Sequence, residues 1–233
     1  MINSTVVPLV SDLTYEAIKL GTRVYGLSSL PVVSTGRSFG YYRKIFFDNK
    51  SEHQVLSELK GQVIADIGCG LTPYVSDSMF QACRRKGISF YGIDPKLANG
   101  FKFGLFDRFK VRVVGGEGKI DPNARGLEKG IGTLADDLPF EDNSVDLVLS
   151  NYAMYAWIND DAILEGIFQE FHRVLKPGGS VKIYPTPHLN TLEPKSDSFR
   201  KVMSQFDIHQ KFAGDPLLFV KYPPAFMTTF TKR

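Results

Sequence analysis

Apolar positions recur at helical spacing from about Ser11 to Leu59, first in "SDLTYEAIKLGTRVYGL" and again in "NKSEHQVLSELK", with the Pro31–Gly40 stretch interrupting them. This marks residues 1–60 as an N-terminal helical cap. The rhythm then changes. Val63–Asp66, Ser89–Asp94, Val145–Ser150 and Ser180–Tyr184 are short strand-like runs parted by longer segments of helical pattern. Strands alternating with helices predict a parallel sheet in an α/β unit over residues 61–233. Pro95–Asn143 is too long for one ordinary crossover and should hide a further strand, either Val111–Val114 or Ile131–Leu134. At the C-terminal end, Leu217–Tyr222 and Phe226–Thr231 flank "PPA" and predict an antiparallel hairpin on the sheet edge.

Composition narrows this modestly. The 233 residues, 43% of them hydrophobic, suit one domain with a large core. A net charge of +3 permits a polyanionic partner without indicating one. Two cysteines, Cys69 and Cys83, suggest neither a disulfide framework nor a metal site, and a reducing, cytoplasmic setting is expected. The first residues, "MINSTVVPLVSDLTYEAIKL", lack the charged start and apolar run of a secretory leader, and no stretch reaches the roughly 18 apolar residues that span a bilayer.

The chemistry concentrates in "VIADIGCGLTP", Val63–Pro73. Glycines after a strand allow a tight turn and close approach of a ligand to the backbone, beside the positive end of the next helix. A dinucleotide site would carry Gly-x-Gly-x-x-Gly, but here Gly68, Cys69, Gly70, Leu71 and Thr72 lead to Pro73, which has no N–H for a phosphate. Thr72 and Pro73 instead form a good helix start. Asp66 places a carboxylate before the loop, where a pyrophosphate would be repelled and a cationic group welcomed. S-adenosylmethionine has that character, with a positive ammonium, a positive sulfonium and no phosphate.

With "DIGCG", "YGIDP", "LPFEDNSVDLVLSNYAMY" and "FHRVLKPGGSVKIYP" in order across about Gly61–Tyr184, the chain resembles the class I S-adenosylmethionine-dependent methyltransferases that act on many small metabolites. The resemblance implies a Rossmann-like, mostly parallel seven-stranded sheet with helices on both faces, an antiparallel C-terminal hairpin and a helical N-terminal lid. It implies S-adenosylmethionine as cofactor, held by Asp66, Gly68, Cys69 and Gly70, with Asp94 accepting from the ribose hydroxyls and Pro95 beside it. Asn151, Tyr152 and Tyr155 would line the space between methyl group and acceptor. "KPGG" is a structural turn into the fifth strand.

The chain also departs from the family. Leu134, in "LADDLPF", stands where family members often carry the aspartate that reads the adenine amino group, so Asp136 or Asp137 would supply the carboxylate, or backbone groups would read adenine instead. The segment after the fourth strand is not the Asn/Asp-Pro-Pro-Tyr/Phe of base-amino methyltransferases, and no cysteine lies near it to attack a pyrimidine. His188, in "YPTPHLN", is the best-placed histidine should the acceptor need to lose a proton. Arg37, Tyr41 and Tyr42, in "GRSFGYYRKIFF", are candidates to touch the methionyl carboxylate or a substrate. Their aromatics equally suit a helix packed on the sheet, and interleaved basic and aromatic groups also grip RNA. A small-molecule acceptor is the leading expectation. A protein or RNA acceptor and a catalytically silent cofactor-binding scaffold are the alternatives, and the acceptor and oligomeric state are not legible.

Overall fold

The computed structural model describes residues 6–27, 35–99, 104–105, 109, 120–194, 196–215, 218 and 221–233. Among them seven strands form one sheet: β1 (Val63–Ile67), β2 (Ser89–Ile93), β3 (Gly130–Ile131), β4 (Val145–Asn151), β5 (Leu175–Thr186), β6 (Phe206–Ala213) and β7 (Ala225–Lys232). Their order is β3-β2-β1-β4-β5-β7-β6. The first five pair in parallel, and β7 runs antiparallel to both β5 and β6. This is the mostly parallel sheet with an antiparallel C-terminal pair that the resemblance implied.

Three details differ from the pattern in the sequence. The hidden strand falls at the start of the second alternative but is shorter, Gly130–Ile131, pairing with Gly92 and Ile93, while Val111–Val114 lies outside the described residues. The partner of the last strand is Phe206–Ala213 and not Leu217–Tyr222, whose described members Leu218, Lys221 and Tyr222 belong to no strand. The true arm, "FDIHQKFA", sits at the end of the sheet order with Asp207, Ile208 and His209 exposed, so it lacks the apolar density of a buried strand. Third, β5 begins at Leu175: Val145 pairs with Leu175 and Leu147 with Ser180, so Lys176–Gly179 bulges opposite Asp146, with Gly178 at φ 77°.

The sheet buries both faces. Ala65, Ile67, Val148, Val181 and Ile183 point into one core, with Phe168 and Phe171 of the helix that crosses from β4 to β5. Ile64, Leu147, Leu149 and Tyr184 point into the other. The helices are α1 (Val6–Leu27), α2 (Phe39–Phe46), α3 (Glu52–Glu58), α4 (Met79–Arg85), α5 (Asp161–Val174), α6 (Leu189–Leu192) and α7 (Asp197–Met203). Several starts have a local cause: Ser38 caps α2, Ser51 and Gln54 form a capping box on α3, and the Asp160 carboxylate accepts from Ala162 and Ile163 N–H at the head of α5. Leu164, Ile167, Phe168, Phe171 and Val174 make the buried stripe of α5.

The helices that precede β1 divide in two. Tyr41, Tyr42, Ile45 and Phe46 of α2 are buried in the second core against β1 and β4. α1 instead reaches the carboxyl edge of the sheet: Tyr15 donates to the Tyr155 carbonyl at 2.8 Å, the Asp12 carboxylate accepts from His188 N–H, and Ser11 accepts from Phe226 N–H.

Candidate functional site

The chain leaves β1 through Gly68 and Gly70, at φ 69° and 53°, the left-handed region that glycine enters without strain. The N–H groups of Gly68 and Cys69 both donate to the Ile93 carbonyl, at 2.7 and 3.2 Å, lashing the loop to the end of β2. A Cβ on Gly68 would lie 2.3 Å from that of Ala153, and one on Gly92 would lie 2.9 Å from Cys69 Sγ. These are two separate contacts, neither of which admits a side chain without displacing its neighbour, and the one at Gly92 is invisible in local sequence because its partner comes from another element.

Asp94 closes the arrangement. One carboxylate oxygen accepts from Gly70 N–H at 3.0 Å and the other from Lys96 N–H at 3.0 Å, so this side chain fixes both the loop and the turn after β2. Thr72 and Pro73 do not begin an α-helix as their sequence suggests: residues 72–74 make a single 3-10 turn, and α4 starts after Ser78. The Thr72 hydroxyl is occupied in accepting from Arg37 N–H.

Between these segments opens a cleft of about 280 Å³, at the carboxyl ends of the parallel strands where open sheets place ligands. Its walls are Gly68 and Gly70, Asp94–Lys96, Thr133–Ala135, Asn151–Ala153, and Trp157 with Ile158, closed on one side by Thr35. Six of the residues singled out in the sequence thus come together here: Gly68, Gly70, Asp94, Pro95, Asn151 and Tyr152. Asp66 and Cys69 are buried behind the loop. Asp136 and Asp137 are exposed and outside the cleft lining, while Leu134 and Ala135 form its wall. Tyr155 turns into the first core beside Phe168. His188 caps α6 with its ring on Phe226 and is likewise not part of the lining. Thr35, Thr133, Ala153 and Ile158 are wall residues without any sequence signal.

Beneath the cleft, on the α2 face, lies a polar group of side chains. Arg37 is almost fully buried, its guanidinium over the rings of Tyr41 and Tyr152 at 4.7 and 5.2 Å. The Tyr41 hydroxyl interacts with the side chains of Tyr152 and Asn151. Asp66 accepts from the Tyr42 hydroxyl through Oδ2, and its Oδ1 is buried with no partner. Burial pushes the Asp66 carboxyl up to about 7, partly offset by the Tyr42 bond and reinforced by the charge of Asp94. It is therefore not the displayed anion that its sequence position suggests. Burial also holds the Tyr152 and Tyr41 phenols above their ordinary value, so both remain donors at neutral pH. Among the described residues, no cluster of histidine, cysteine and acidic side chains could hold a metal, and no helix is long and apolar enough to cross a membrane.

Comparison with known proteins meets this geometry from a separate direction. A family described as a methyltransferase domain matches residues 121–183. Malonyl-(acyl-carrier protein) O-methyltransferase 1 of Coxiella burnetii is 40% identical over 96 residues, 40% of this chain and 32% of that protein. Sterol 24-C-methyltransferase of Pneumocystis carinii is 26% identical over 152 residues, 64% and 34% of the two chains. A zebrafish (Danio rerio) mitochondrial protein named arginine-hydroxylase NDUFAF5 is 52% identical over 42 residues, 18% and 12%. The matched parts span about a third or less of the length of these relatives.

Proposed function

From the premise that this chain has the fold of the class I S-adenosylmethionine-dependent methyltransferases, we propose that it binds S-adenosylmethionine in the cleft above β1, β2 and β4 and transfers the methyl group to a small-molecule acceptor. The observation that carries the reading is the cleft at the glycine loop, whose lining sets the Asp94 carboxylate and Asn151 beside Gly68 and Gly70. Asn151 Oδ1 is buried there without a hydrogen-bond donor, and a buried acceptor calls for a partner. The proline at position 73 disfavours a pyrophosphate.

When bound, S-adenosylmethionine supplies the activated methyl carbon on its sulfonium. The chain's own task is then to position and to exclude water. Gly68 and Gly70 leave the space, and Asp94, whose oxygens keep lone pairs beyond the bonds to Gly70 and Lys96, would accept from the ribose hydroxyls. Leu134 and Ala135 would flank adenine, with backbone groups reading its edge in place of the absent aspartate. Tyr152, at the wall and still protonated at neutral pH, orients an acceptor and does not deprotonate it.

A small-molecule acceptor is supported by the names of the malonyl and sterol methyltransferase relatives. Cofactor binding without methyl transfer is the second reading, favoured by the short match to a hydroxylase and by Leu134. Calorimetry against S-adenosylmethionine, S-adenosylhomocysteine and NADH tests the first step. The two sulfur compounds should bind and NADH should not. Asp94→Ala should weaken both by about tenfold or more, since a hydrogen bond to a charged group is worth about 1.5–3 kcal/mol. Binding of NADH, or unchanged affinity in Asp94→Ala, would contradict the assignment. Transfer of labelled methyl to any member of an acceptor panel would exclude the second reading.

A further inference from the structure

We propose that Asp66 is a proton-coupled counter-charge behind the glycine loop, neutral in much of the free protein and ionised when a cation fills the cleft, with the Tyr42 hydroxyl as the positioning donor that sets the balance. The inference rests on the cofactor reading above and adds to it a proton that leaves on binding.

The geometry carries it. Asp66 is fully buried, on the same face of β1 as Ile64, and the helix packed there, α2, brings it one donor in Tyr42. Its second oxygen has no partner, and among the described residues no lysine or arginine forms an ion pair with it. The titratable groups facing it are all acids: Tyr42 from α2, Cys69 from the loop and Asp94 from the end of β2. Its neighbour on β4 is the apolar Leu149, and the Arg37 guanidinium lies over the rings of Tyr41 and Tyr152.

A carboxyl so enclosed resists ionisation, and burial is the first cause of its rise to about 7. Asp66 does not line the cleft, whereas the next two residues of the chain, Ile67 and Gly68, do. A positive charge arriving beside Gly68 favours the carboxylate, and in that dry setting the attraction is weakly screened. The O–H bond of the carboxyl breaks, its electron pair stays on Asp66, and the proton passes to the solvent buffer. Tyr42 acts through Asp66: its bond favours the ionised form, so removing it drives the carboxyl further towards neutrality in the free state.

The test is titration calorimetry with S-adenosylhomocysteine at pH 7 in buffers of different ionisation enthalpy, phosphate against imidazole, for wild type, Asp66→Asn and Tyr42→Phe. A carboxyl near 7 in the free state, ionised when bound, releases about half a proton at pH 7, and affinity falls by about tenfold per pH unit below that point. Asp66→Asn should bind without that release or that pH dependence. Tyr42→Phe should release more than wild type, approaching one proton, a change that a merely structural tyrosine would not produce. Should Tyr42→Phe fail to fold, the comparison of wild type with Asp66→Asn still decides. Buffer-independent binding heat in wild type, or equal release in Asp66→Asn, overturns the proposal and leaves the cofactor reading standing. Absence of binding by either sulfur compound removes both.

Discussion

Asp66 sits in a strand where its neighbours are apolar, and the cost of that position depends on pH. Its folded value, raised to about 7, lies above the value of about 4 of an unfolded aspartate, so the folded state keeps a proton that the unfolded chain has lost. The stability this contributes is whole below about pH 4 and is lost as pH rises through about 7. In the ligand-free protein, Asp66→Asn should therefore raise the melting temperature at pH 8 and leave it unchanged at pH 4. A lower melting temperature at pH 8 would contradict the burial argument. Single residues were unevenly legible. Gly68, Gly70 and Asp94 stand at motif positions set by backbone geometry, and all three reach the cleft. Asp136 and Asp137 were expected only as acids two or three residues beyond Leu134, and both are exposed while Leu134 and Ala135 line the wall.

Among the elements, α5 shows how directly pattern becomes structure. Its apolar stripe and its Asp160 cap are both local, and both are present in the fold. Asp160→Ala should cost ~1 kcal/mol of stability by denaturant titration without altering cofactor affinity, because the cap lies outside the cleft lining. A loss of affinity would tie the head of α5 to the site. The edge strand β6 behaves oppositely. Its alternation is diluted by exposed residues, and its status as a strand comes from pairing with β7, from Phe206–Lys232 through Ala213–Ala225. α2 lies between these cases: a helix packed on the sheet was one of the readings its residues allowed, and whether Tyr41 and Tyr42 face ligand or sheet depended on β1 and β4 being there to cover them.

Across the chain, the sheet, the α2 face and α1 converge on one cleft. α1 holds the Tyr155 loop and the Pro187–His188 turn through Tyr15 and Asp12, and that loop carries Ala153 and Trp157 into the cleft wall. A ligand that binds only the folded state must then stabilise the whole cooperative unit. S-adenosylhomocysteine at a hundredfold excess over its Kd should add about 2.7 kcal/mol, read as a rise in melting temperature, and NADH at equal concentration should add nothing. A rise with NADH alone would return the loop to the dinucleotide class.

Strand and helix periods, the spacing of Gly68, Gly70 and Pro73, and the acid at the end of β2 are properties of consecutive residues, so the α/β class and the segments that meet at the cleft could be read along the chain. Burial is a property of neighbours far away in sequence. For that reason the fold alone decided that Asp66 lies in a dry enclosure with one donor, that Tyr42 and not a cation meets it, that Gly92 must be glycine to admit Cys69, and that His188 and Tyr155 stand away from the cleft.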